Sequence, residues 1–178
     1  MTDTVGAEFI VNTTTTGGQG GASVAALSNG GFVVTWTDES ETGGDTDNWA
    51  VRGQRYNASG TKVGAEFLVN TATTGLQYDP SVAALRNGGF VVTWRDTSGT
   101  GRVRGQRYNA SGTKVGAEFL VNTTTTGSQG DPSVAALSNG GFVVTWTDLS
   151  QTGGDTDWYA VRGQRYNASG TKVGAEFL

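Results

Sequence analysis

With 178 residues the chain is long enough for one domain with a real core and short for two. Glycine is abundant at 29 residues and proline scarce at 2, which with many threonines and valines is a β composition with tight turns. A net charge of −4 without any cluster of Lys or Arg offers no footprint for nucleic acid, and zero Cys and zero His exclude disulfides, thiolate sites and His-based triads.

The string Val-Gly-Ala-Glu-Phe begins at Val5, Val63, Val115 and Val173, at spacings of 58, 52 and 58 residues. Residues 1–178 therefore read as one repeat domain of three units, 5–62, 63–114 and 115–172, followed by a restart at 173–178. The outer units differ at only eight positions, among them Asn48-Trp49 against Trp158-Tyr159. The middle unit shortens the stretch from Asp38 to Trp49 into Asp96 to Arg102.

In chain order, Ala7 to Val11 predicts a first strand of type D, and the third copy then displays the whole pattern. Ala117 to Val121 is again strand D, and a long loop runs from Asn122 to Pro132. Ser133 to Leu137, small and apolar, predicts strand A at the narrow inner edge. The Asn-Gly pair in Ser138-Asn139-Gly140-Gly141 predicts a tight hairpin into strand B, Gly141 to Trp146. A second long loop, Thr147 to Trp158, leads to strand C, Tyr159 to Tyr166, and the turn Asn167-Ala168-Ser169-Gly170 leads back to a partial strand D, Ala175 to Leu178. No window holds a helical period. The class is all-β, and a four-stranded antiparallel unit recurring every 50 to 60 residues predicts a β-propeller with three blades per chain. A β-sandwich or β-prism of the same hairpins is the alternative.

The motifs Gly-Gly-Phe-Val-Val-Thr-Trp, Val-Arg-Gly-Gln-Arg-Tyr-Asn-Ala-Ser-Gly and Gly-Ala-Glu-Phe-Leu-Val-Asn-Thr resemble the tandem repeats of large secreted bacterial surface proteins of the RTX and adhesin type. The resemblance implies a secreted or cell-surface parent and carries no catalytic residue over. The calcium-binding nonapeptides of RTX rolls are absent, no apolar run reaches membrane-spanning length, and the residues from Met1 to Val5 lead to the expectation of no classical signal peptide.

Without His or Cys, catalysis would fall to a carboxylate pair, and the loop acids differ between copies. The expectation is a non-enzymatic module with a structural or assembly role in a bacterial surface protein or engineered repeat array. The alternative is a lectin-like, carbohydrate-binding adhesive module. Antiparallel order puts the B–C and D–A loops on one face, so ligand candidates gather there: Gln19, Asp45, Asp47, Trp49, Gln129, Asp131, Asp155, Asp157, Trp158 and Tyr159. The aromatics among them suit a sugar ring, or simply start strand C and pack between blades. Asp38, Asp45, Asp47, Asp148, Asp155 and Asp157 offer hard oxygens to calcium, or form a solvated acidic loop. Trp36, Trp94 and Trp146 recur at one position and are expected in the core.

Three wedges leave sheet faces bare, so the expected particle is a homodimer closing a six-bladed ring, with no insertion into a membrane. The N-terminal strand of one copy is expected to fill the outer place of the other's third blade and make Val173 to Leu178 surplus.

Overall fold

The computed structural model describes residues 7–178. Twelve strands form three four-stranded antiparallel sheets of consecutive strands. The first blade holds β1 (Gln19–Ala26), β2 (Phe32–Asp38), β3 (Ala50–Tyr56) and β4 (Lys62–Leu68). The second holds β5 (Gln77–Ala84), β6 (Phe90–Asp96), β7 (Arg102–Tyr108) and β8 (Lys114–Leu120). The third holds β9 (Gln129–Ala136), β10 (Phe142–Asp148), β11 (Ala160–Tyr166) and β12 (Lys172–Phe177). Among the described residues there is no helix. These are the blades of a β-propeller.

Turn chemistry sets the hairpins. Gly140 takes φ 88°, which a side chain would oppose, and Asn139 Oδ1 accepts from Gly141 N at 3.0 Å. In the C–D turn, Asn167 Oδ1 accepts from the amides of Ser169 and Thr171 at 3.1 and 2.9 Å.

The core lies between blades rather than within them. Val33, Val51 and Val69 from the first blade's trailing side meet Val82, Phe90, Val92, Trp94 and Tyr108 of the second. The same set recurs one blade on, from Val91, Val103 and Val121 to Phe142, Val144, Trp146 and Tyr166. A third cluster, Val34, Trp36 and Tyr56 on the first blade's leading face, has the partly buried Val11 and Phe32 packed against it. The three recurrent tryptophans are buried, as expected.

Two expectations are corrected. Strand D starts earlier than the Ala-Glu-Phe-Leu-Val segment, at Lys62, Lys114 and Lys172, because the ladder resumes right after the turn. Residues Ala7 to Val11 form no strand, and the outer place of the third blade is held by the chain's own tail. A hairpin joins β12 to β11, with Val173 opposite Arg165 and Phe177 opposite Gly163, so the tail is not surplus. It arrives through a five-residue turn, and closing so short a loop costs little entropy.

Candidate functional site

The long loops converge on one face. Glu39 N donates to Gly18 O, Thr97 N to Leu76 O and Leu149 N to Ser128 O, each at 2.9 Å, which ties every B–C loop to the D–A loop before it. On that face the inner strands carry a bulge, with a register shift between Gly20 and Ser23, between Tyr78 and Ser81, and opposite Thr145 to Thr147. The bulged residues Gly21, Asp79 and Asp131 take φ of 60°, 53° and 48°. Asp tolerates this left-handed region better than most residues, and the proline following each Asp suits a bulge, where no ladder hydrogen is donated. Two exposed carboxylates thus sit at equivalent bulges of the neighbouring inner strands β5 and β9. Partial burial raises the Asp79 carboxyl above its ordinary value, the charge of Asp131 adds to the rise, and Arg95 opposes it. Sequence reading found Asp131 and missed Asp79. Its signal was an Asp-Pro dipeptide in two of three copies, occurring where the first copy has Gly21-Ala22.

The other predicted site residues are placed differently. Gln19 and Gln129 belong to a polar chain repeated in each blade. In the third, Asn122 Nδ2 donates to Gln129 Oε1 at 3.1 Å, Gln129 Nε2 to Asp148 Oδ1 at 3.0 Å, and Arg162 Nε to Asp148 Oδ2 at 2.6 Å. Gln129, Asp148 and Arg162 are buried. Asp38 makes the same pair with Arg52 at 2.6 Å. Burial would raise Asp148, but Ser150, Arg162 and Gln129 bond its charged form and hold the carboxyl below its ordinary value. Asp96 is likewise held low, against burial, by Ser98 and Arg104.

Asp45 is buried, its Oδ1 accepting from Asp47 N at 3.1 Å and its Oδ2 from Asn70 Nδ2 at 2.8 Å. Asp47 Oδ2 accepts from Gly75 N at 3.0 Å, and Asp157 Oδ1 from Trp158 N at 2.9 Å. Asp155 Oδ1 accepts from Asp157 N, while its buried Oδ2 has no partner. Among the described residues no three Asp or Glu side chains gather at metal-ligating spacing. Trp49 packs edge-on against Tyr78 across the first interblade seam at 5.4 Å, whereas Trp158 and Tyr159 are exposed.

No family model matches the sequence, and no curated protein matches it. Solved structures do match. The native Bacillus subtilis arabinanase Arb43A is similar over 82% of this chain and 50% of its own, with TM-score 0.50 and 14% identity. The α-L-arabinofuranosidase from Lactobacillus brevis is similar over 86% and 55%, with TM-score 0.52 and 14% identity. The GH43 endo-arabinanase from Bacillus licheniformis is similar over 86% and 56%, with TM-score 0.51 and 16% identity. The chain thus spans about half the length of the structures it resembles, and at such identity the likeness shows the fold. The expectation of a non-enzymatic structural or lectin-like module is corrected by these matches, because enzymes are built on this arrangement of blades. The lack of His and Cys does not bar that chemistry, which carboxylates alone can perform.

Proposed function

We propose that two copies of this chain close into a six-bladed propeller that cleaves glycans at the channel face bearing Asp79 and Asp131. The observation that carries closure is the inaccessible, unpartnered Oδ2 of half-buried Asp155. Its counterpart Asp45 is satisfied by Asn70 of the loop leading into the next blade, and the residue equivalent to Asn70 ahead of the first blade is Asn12. A second copy brings Asn12 to Asp155.

The other members of the seam fit the same closure. Val161 is 68% exposed where Val51 and Val103 are fully buried, and Val24 is 64% exposed where Val82 and Val134 are buried. Arg55 Nη2 donates to Ala110 O at 2.9 Å and Arg107 Nη2 to Ala168 O at 3.0 Å, each on the next blade's turn, so Arg165 is matched by Ala58 of a second copy. Tyr159, equivalent to Trp49, meets Gly20 in place of Tyr78, next to a cleft lined by Val11, Gln19, Val34 and Trp36. Two copies give six blades, within the range of about four to eight that close, and three copies give nine.

Glycan cleavage is supported by the matched enzymes and by the carboxylate pair. Asp79, with its raised carboxyl, is placed as the acid that protonates the leaving oxygen, and Asp131 as the base that activates water. A secreted setting, implied by the repeat resemblance, suits a protein that meets polysaccharide outside the cell. The test measures reducing ends released from arabinan oligosaccharides by particles whose mass is followed by light scattering. Asp79→Asn and Asp131→Asn are each expected to slow release by about a hundredfold or more with the mass unchanged. No release by the intact particle, or release by either variant at the rate of the unaltered chain, overturns the assignment.

A further inference from the structure

Phe67 and Phe119 each fill one repeated socket. The ring lies over a glycine of its own blade, Gly53 or Gly105, where a Cβ would collide with it, and reaches the stacked Phe–Tyr pair of the next blade. Phe67 stands 5.5 Å from Tyr108 and Phe119 5.5 Å from Tyr166. At the two open faces this socket is divided. Phe177 lies over Gly163, its glycine floor, but reaches no aromatic wall and is 44% exposed. Phe9 stands 5.6 Å from Tyr56, its aromatic wall, but belongs to no strand and has no glycine floor. In a closed ring the floor of one copy meets the wall of the other, and one phenylalanine fills the joined socket.

We propose that this phenylalanine is Phe177 of a second copy, and that the segment from Ala7 to Ile10 is a plug that occupies the first blade's socket until a partner displaces it. The inference rests on the ring closure proposed above. Phe177 is held by a ladder, and Gln164 Nε2 donates to the carbonyls of Val173 and Gly174 at 3.4 and 3.3 Å. Phe9 and Ile10 are exposed and unpaired. The segment is also out of the repeat's register, because Tyr56 Oη donates to Val11 O at 3.0 Å whereas the hydroxyls of Tyr108 and Tyr166 have no partner. Asn12 and Thr13 stay in place under this scheme. Thr13 N donates to Glu66 Oε2 at 2.7 Å, as Thr71 N does to Glu118 Oε2 at 2.7 Å.

The experiment compares dimer dissociation constants of the full chain, a deletion of residues 1–10, a deletion of residues 173–178, and Phe177→Ala, by sedimentation with circular dichroism to check each fold. Removing the plug is expected to tighten the dimer at least tenfold, while the tail deletion and Phe177→Ala each weaken it at least tenfold. A dimer abolished by the deletion of residues 1–10 and kept by the tail deletion overturns the plug in favour of strand exchange, and leaves ring closure standing. A dimer equally tight in all four also overturns the plug. Monomers throughout, at every concentration, overturn the ring itself and the plug with it.

Discussion

Five tryptophans sit in three environments, three in the cores, Trp49 half-buried across a seam and Trp158 exposed, and their contacts decide what each does. Trp146 is 2% exposed, with its indole Nε1 unpartnered among apolar neighbours, so its worth is packing rather than hydrogen bonding. Trp146→Ala should cost roughly 3–5 kcal/mol in denaturant melts, and Trp146→Phe much less, since no hydrogen bond is lost. Trp158 is 69% exposed, and Trp158→Ala should change the same melts by about 0.5 kcal/mol or less. Equal losses in the two alanine variants would remove this distinction. Recurrence at one position in all three units made the core tryptophans legible in the sequence. The places of Trp49 and Tyr159 were not, because residues at equivalent positions differ only in whether a following blade covers them. Asp79 was hidden for another reason: its backbone sits at a bulge, and strand pattern alone does not show where a ladder slips.

At the scale of the element, each blade is locked by a polar chain running from the D–A loop through Gln and Asp to the Arg of the third strand. Asp148 gathers Arg162, Ser150 and Gln129 in a site shut off from water. Removing one partner of such a pair strands the other charge, so Asp148→Ala should cost about 3–5 kcal/mol. The carboxyls of Asp96 and Asp148 lie below the ordinary value of 3.8, so they stabilise the fold above that value. This contribution is lost as pH falls through their lower folded values. Melting temperature should therefore drop as pH goes below about 4, with a shallower acid limb in Asp148→Asn; parallel limbs for the two proteins would contradict the linkage. The four strands of each blade and both hairpins were legible from short apolar, β-branched segments set between turn signals and from Asn-Gly chemistry. The outer-strand limits were not, since Lys-Val-Gly is polar and carries a glycine at φ near 70° that reads as a break. That glycine sits where the ladder shifts register, between Arg165 and Gly163 in the third blade.

At the scale of the whole molecule, two interblade cores are complete, one half-core lies on the first blade, and the third blade's far face exposes Val161 and Phe177. The open halves carry the same residues that are buried at the internal seams, which makes a second copy the natural complement. Repeat period and composition made the propeller legible, whereas the tail's place depended on hairpin proximity, which two identical strand sequences at either end of the chain do not reveal. A seam between unlike faces either closes into a ring or propagates as a filament. The most direct test of closure exploits the absence of cysteine by introducing one pair at a time. Asp45→Cys with Asn70→Cys spans an internal seam and should form a disulfide within one chain under mild oxidation. Asn12→Cys with Asp155→Cys spans the proposed seam and should give, on a non-reducing gel, a covalent species of twice the 18.4 kDa chain and nothing larger. A ladder of longer oligomers, or single chains only while the internal pair oxidises fully, would contradict the closed two-copy ring.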